Sequence, residues 1–421
     1  MRFVYSIGIY AYLFGVRVAS LFNVKARQMV RGWRDTREAL FRFASQCGSS
    51  PVAWFHAASL GEFEQARPVL EKFRSLHPEY KVMLTFFSPS GYEVRKNYDQ
   101  ADLVCYLPMD TPANAFRLVQ TVCPRVAFFV KYDFWFNYLS RLRRIGCKTY
   151  IFSAIFRPSH YFFKPYGKWF LRQLRQCFAL IFVQNQQSLQ LLRTNGVENS
   201  LLAGDTRFDR VNDIAQKAPH FDEIESFIGT NADGSPCQVL MAGSSWEPDE
   251  QHIKRYFDHR QGALKMILAP HVISETHIAS IITFFGSDNC VRYSQLKGDA
   301  TAYADRKVLI IDNIGMLSSL YRYAHVAYIG GGWGRGIHNT LEAVTFGKPV
   351  VFGPNHRKFQ EAQDLLALGG GFTYSDYETL QTTLDRLFDD GEAYARSSQT
   401  CTDYLHRNLG SSDLIISHIT I

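Results

Sequence analysis

The stretch "VAYIGGGWGRGIHNTLEAVTFGKPVVFGP", residues 326–354, decides the fold. A short apolar run ends at Ile329, and five glycines follow within seven residues, at 330, 331, 332, 334 and 336. A helix is expected over residues 339–346, stopped by Gly347, with Pro349 opening a second apolar run. Strand, glycine turn, helix and strand make one step of a parallel α/β sheet. The glycines let backbone approach a ligand closely. Free N–H groups at a following helix start favour phosphate. The turn is neither a dinucleotide fingerprint nor a P-loop: it comes late in the chain and no G-K-[ST] follows.

The same pattern extends outward in both directions. "PVAWFHA", "KVMLTFFS", "DLVCYLP", "RVAFFV", "KTYIFSA" and "LIFVQN" form one series of short continuous apolar runs. "QVLMAG", "KMILAP", "KVLIID", "VAYIGGG" and "PVVFGP" form another. Continuous rather than alternating runs are expected of parallel strands covered on both faces. A polar stretch rich in turn residues, residues 209–238, separates the series. The expectation is two doubly wound, Rossmann-like domains facing a cleft, with ligands beyond the carboxyl ends of the strands. At 421 residues and 46% hydrophobic content, the chain can fill two such cores, and bulk disorder is excluded.

The net charge of +7 suits an anionic partner without selecting one. No helix-turn-helix, zinc-finger or RNP-type motif points to nucleic acid. The eight cysteines include no CxxC pair and read as small buried hydrophobes in a reducing compartment. The N-terminal run "FVYSIGIYAYLFGVRVASLFNV", residues 3–24, is barely long enough to cross a bilayer and is interrupted by Arg17; Lys25, Arg27, Arg31 and Arg34 follow. It reads as a membrane anchor, spanning or interfacial, on a body at the cytoplasmic face. The alternative is a docked first helix.

Two glutamates stand at strand-to-helix junctions. In "FHAASLGEFEQARPVL", residues 55–70, Ser59 and Glu62 fit a capping box, in which Glu62 does nothing but hold a helix end. Gly61 is not needed for a cap, though. By clearing a side chain beside the carboxylate, it would leave room for a substrate hydroxyl whose proton Glu62 accepts. Asn339 and Glu342 likewise fit a cap or a ribose-binding carboxylate, and His338 suits a phosphate or a structural role.

Several segments together resemble the 3-deoxy-D-manno-octulosonic acid (Kdo) transferases. These are "WFHAASLGEFEQARPVL", "KYDFWFN", "FVQNQQSLQLLRTNGV", "AGDTRFDRV", "AGSSWEPDEQ", "DNIGMLSSLYRYAHVAYIGGG" and the segment from the glycine turn to "FQEAQDLL", in the family's order across roughly residues 1–370. The resemblance implies a GT-B-type, metal-independent, inverting glycosyltransferase with no cofactor, moving Kdo from CMP-Kdo to the lipid A precursor at the inner membrane. It implies an anchor over residues 1–30, an acceptor-binding domain over 31–212 and a CMP-Kdo-binding domain over 213–421. Glu62 is then the base. Ser244, Ser245, His271, Gly331, Gly332, Arg335, His338, Asn339 and Glu342 take the donor. On the acceptor side stand Gly61, Lys131 and Asp133, the last two at the acidic places of the family's "ETExWPN"-like stretch. Apart from the resemblance, the basic, aromatic segment of residues 157–176, with Arg157, Lys164 and Lys168, reads either as a grip on the acceptor's phosphates at the membrane or as a core helix with a solvated basic face. Rival readings are another GT-B-type nucleotide-sugar transferase and an inactive, membrane-docked nucleotide-binding homologue.

Overall fold

A computed structural model describes residues 1–421 except 232–233, 261–263 and 297–300. The chain divides into two compact units. The first comprises Met1–Arg210 with Asn408–Ile421, and the second Val211–Arg407.

The first unit holds a seven-stranded, fully parallel sheet: β1 (Val52–Ala57), β2 (Lys81–Phe86), β3 (Leu103–Tyr106), β4 (Val126–Val130), β5 (Lys148–Ala154), β6 (Leu180–Val183) and β7 (Ser200–Leu202). Their order is β3-β2-β1-β4-β5-β6-β7, so the chain reverses direction across the sheet at β1 and β4. Every residue of β1 and β4 is buried, which is why both read as unbroken apolar runs.

The second unit repeats the arrangement with β8 (Val239–Ser245), β9 (Lys265–Pro270), β10 (Cys290–Arg292), β11 (Val308–Ile310), β12 (Val326–Ile329), β13 (Val350–Phe352) and β14 (Gly371–Thr373), in the order β10-β11-β9-β8-β12-β13-β14. Strands β7, β10 and β14 carry no long apolar run and were not expected. Each has three residues and lies at a sheet edge, where one neighbour is missing.

Two expectations need correction. The second domain was expected to run to residue 421, but the last residues return to the first unit. The carboxylate of Asp209 fixes them by accepting from the backbone N–H groups of Gly410 (2.7 Å) and Ser412 (2.6 Å) and from the Ser412 hydroxyl. Ile415 is fully buried in the first unit's core.

The anchor over residues 1–30 is not one element. Helix α1 (Arg2–Ala19) and helix α2 (Val24–Cys47) meet at 116°, with the Asn23 side chain accepting from Ala26 N–H to start α2. No single helix among the described residues is long and apolar enough to cross a membrane, although the bent pair passes that test together. The Tyr5 hydroxyl donates to Asp110 (2.7 Å) and ties α1 to the first unit. The outer face of α1 stays exposed.

Candidate active site

In the first unit the turn after β1 leads into helix α3 (Leu60–Leu76). Ser59 occupies the N-cap position, yet its side chain accepts no backbone hydrogen bond. Its hydroxyl donates instead to Glu62 Oε2 at 2.5 Å. The expected capping box is therefore not formed, and the serine orients the carboxylate. A Cβ built on Gly61 would meet nothing nearer than Ser59 Oγ at 4.0 Å, so the fold does not require glycine there. Glu64, two residues on, is engaged by Arg95 (2.9 Å) and Arg210 (3.3 Å).

The turn after β4 lies beside this one, because β1 and β4 are neighbours. Lys131 has φ +54°, a left-handed conformation costly for a side chain with a Cβ and frequent at functional turns. Asp133 is buried and one of its oxygens, Oδ2, finds no partner among the described residues. Burial, reinforced by the Glu62 charge, holds its carboxyl well above the usual carboxylate range, while the Ala58 N–H opposes this.

His56 of β1 lies 3.7 Å from Asp133, but the two are not an ion pair. Burial pushes the His56 imidazole down to about 3. Its Nε2 accepts from the Trp135 indole N–H (3.0 Å) and its Nδ1 faces Thr85 Oγ1 (2.9 Å). The Glu62 side chain thus sits near a buried carboxyl group held above the usual carboxylate range and an imidazole held well below its ordinary one. Environments that separate two carboxyl groups in this way assign different roles to them. Neither His56 nor Trp135 was anticipated as part of the site.

Arg157, Lys164 and Lys168 lie beyond β5 and are exposed. Their segment is held from beneath by Phe162, Phe163, Trp169 and Phe170, which pack on the first unit's core. Tyr132 and His160, with ring centroids 5.7 Å apart, join it to the Lys131 turn.

In the second unit the ends of β8, β9 and β12 converge. Ser244 has φ +54°, and the Ser245 hydroxyl donates to Glu250 (2.9 Å). The glycine turn is shaped by close backbone approach. A Cβ on Gly330 would stand 2.2 Å from Ser244 O, and one on Gly332 2.6 Å from the Gly353 backbone. Gly331 has φ +91° and donates its N–H to the buried Asp249 (2.9 Å). Asp249 also accepts from Trp246 N–H and the Tyr328 hydroxyl.

Three rings stand together at these strand ends. His271 stacks on Trp246 at 4.6 Å and on His338 at 4.5 Å, and the Trp246 indole N–H donates to His338 Nε2 (3.2 Å). Burial and then the neighbouring His271 hold His338 below its ordinary range, which favours the neutral ring. Trp246 and Asp249 were not singled out from the sequence, although "AGSSWEPDEQ" contains both.

The expected helix over residues 339–346 is a single turn, Leu341–Val344. Its dipole is correspondingly short, so backbone shape rather than a helix end defines this part of the site. Asn339 Oδ1 accepts from Leu341 N–H (3.1 Å) and its amide donates to Glu342 (3.0 Å). Asn339, the residue before the N-cap Thr340, thus joins the start of the turn to the Glu342 side chain. Arg335 is exposed at the tip of the turn.

The comparisons agree with this architecture. Residues 34–210 match the family model described as 3-deoxy-D-manno-octulosonic-acid transferase (kdotransferase). The 3-deoxy-D-manno-octulosonic acid transferase of Chlamydophila psittaci is 24% identical over 379 residues, 85% of this chain and 82% of its own length. That of Aquifex aeolicus is 27% identical over 343 residues, 79% of this chain and 85% of its own. Among solved structures, the UDP-GlcNAc 2-epimerase from Neisseria meningitidis bound to UDP-GlcNAc is similar at a TM-score of 0.59 and 13% identity, covering 87% of this chain and 98% of that one. That likeness shows the fold alone, two parallel-sheet α/β units of the GT-B-like class. Within that class the chain is similar to the Kdo transferases over most of its length, and it is a glycosyltransferase.

Proposed function

We propose that the protein is an inverting transferase that moves Kdo from CMP-Kdo to the lipid A precursor at the cytoplasmic face of the inner membrane, with Glu62 as general base. The observation that carries this reading is the Ser59–Glu62 contact at a helix start where the serine caps nothing. A carboxylate oriented by one hydroxyl, beside a glycine the fold does not need, suits proton transfer from an incoming alcohol. The Glu62 carboxylate takes the acceptor hydroxyl's proton. The hydroxyl oxygen bonds to the anomeric carbon of Kdo as that carbon's bond to the CMP phosphate breaks, and CMP leaves with the bonding pair.

In this reading Ser244, Ser245, Gly331 and Gly332 face the leaving phosphate. The Trp246–His271–His338 stack offers an aromatic surface to the base, and Glu342 a carboxylate to ribose hydroxyls. Burial and the Glu62 charge disfavour a second negative charge on Asp133 beside the base. Lys131, Arg157, Lys164 and Lys168 take phosphates of the acceptor. No metal ion has a part in the proposed reaction.

The test incubates purified protein with CMP-Kdo and tetraacylated lipid A precursor and measures product mass. Addition of one or more Kdo masses supports the reading. Transfer from UDP-sugars alone, or CMP binding without transfer, overturns it in favour of another nucleotide-sugar transferase or an inactive homologue. Glu342→Ala is expected to weaken CMP binding in a folded protein. Unchanged affinity by calorimetry would leave Glu342 a purely local role beside Asn339.

A further inference from the structure

Beside α1 lies a pocket of about 530 Å³ built from α1, α2 and the helix Pro112–Val122 of the first unit. Four arginines line it: Arg17 from α1, Arg34 and Arg37 from α2, and Arg117 from the third helix. None of the four guanidinium groups has a carboxylate or carbonyl partner among the described residues. Elsewhere in this unit arginines are neutralised, as Arg74 is by Asp102 and Arg95 by Glu64. The pocket wall between the charges is apolar, with Leu13, Val30, Met109 and Leu118. Trp33 completes it. Its indole N–H is buried and finds no acceptor in the protein, and a donor in that position normally has one.

The surroundings choose among anions. Phe3, Ile7, Tyr10, Phe14 and Val18 recur at helical spacing along α1, and each is at least 44% exposed. Leu21 and Phe22, in the bend that follows, are 67% and 86% exposed. Arg17 lies next to this stripe on the helix, since it directly precedes Val18 and follows Phe14 by three residues. A soluble phosphate compound has no use for an apolar stripe at the pocket's edge. A lipid has use for both, because its phosphate seeks guanidinium groups while its acyl chains seek the stripe.

We propose that this pocket binds the phosphate of an anionic phospholipid headgroup, with Arg17, Arg34, Arg37, Arg117 and the Trp33 N–H as its donors and the outer face of α1 against the acyl chains. The site lies outside the residues assigned to donor and acceptor, and the inference does not depend on the transfer reaction.

The test measures partition of the full chain onto phosphatidylcholine vesicles with and without phosphatidylglycerol. Arg34→Gln/Arg37→Gln removes two donors from exposed positions. Lys307→Gln/Arg396→Gln removes the same charge from the second unit. The pocket variant is expected to lose on the order of tenfold or more of its partition onto anionic vesicles, to match wild type on phosphatidylcholine, and to keep its unfolding temperature. The control variant is expected to keep anionic binding. Loss of similar size in both variants would mean diffuse charge attraction and would overturn the pocket. In a second arm the Trp33 emission, isolated by subtracting Trp33→Phe, is followed. A change with anionic vesicles but not with millimolar inorganic phosphate is expected. A response to inorganic phosphate alone, without one to vesicles, would assign the pocket to a soluble anion and overturn the lipid.

Discussion

The turn after β1 and the turn after β12 look alike in sequence, each a glycine-containing junction between a buried strand and a helix with a glutamate in its first turn. Their structures differ in how much the fold itself explains. At the second turn Gly330 must be glycine because Ser244 O would lie 2.2 Å from a Cβ, and Gly332 because the Gly353 backbone crosses it. Gly331 is held by Asp249. At the first turn Gly61 has open space around it, and Ser59 does not cap the helix it precedes. Residues that packing demands say little about chemistry. Residues that packing leaves unexplained, such as Gly61 and the Ser59–Glu62 pair, are the stronger functional evidence.

The largest effect that can break this comparison is on turnover. Glu62→Gln keeps the size of the side chain and removes the base. It is expected to lower kcat on the order of 10²–10⁴-fold while CMP affinity and unfolding temperature stay at wild-type values. Near-normal turnover would make Glu62 as structural as the glycines of the other turn.

Next is Gly330→Ala. Its Cβ meets a backbone carbonyl that has no rotamer to escape into, so a loss of about 1–3 kcal/mol is expected by denaturant unfolding. An unchanged midpoint would show that the second turn is not held by close approach.

Asp133→Asn sharpens the electrostatic side. A carboxyl group whose folded pKa is raised binds more protons folded than unfolded, so its burial destabilises the fold as pH rises from its unfolded value, about 3.9, upward. The variant removes that slope. Its unfolding temperature should fall less than wild type's between acidic and neutral pH. Parallel curves would mean Asp133 ionises freely.

Trp246→Ala opens the ring stack. CMP affinity should fall by roughly 2–10-fold, the equivalent of about 0.5–1.5 kcal/mol for one aromatic contact, with unchanged KM for the acceptor. An effect on the acceptor KM alone would move the stack out of the donor site.

Smallest is Gly61→Ala. With nothing for the new methyl to strike, the helix start should gain a few tenths to about 1 kcal/mol while acceptor KM rises. A destabilised variant would return Gly61 to the class of packing glycines.

The sequence by itself determined the inner strands of both sheets. Continuous apolar runs such as "VAWFHA" and "VAFFV" can be buried only between two layers, and their order gave two parallel α/β series. It also marked Glu62, Glu342 and the glycine turn, because local spacing around a strand end is visible in a linear chain. Tertiary structure alone decided what those residues do with their neighbours. Ser59 could cap a helix or orient a carboxylate, and only the rotamer in the folded turn chose the second. His56 and Trp135 are 79 positions apart, and Trp246 and His338 are 92 apart. No periodicity links such pairs, since parallel strands place their carboxyl ends side by side regardless of the chain between them. The return of residues 408–421 to the first unit was equally hidden. It rests on long-range contacts, among them the Asp209 carboxylate meeting N–H groups that arrive some two hundred residues later and Ile415 entering the first unit's core.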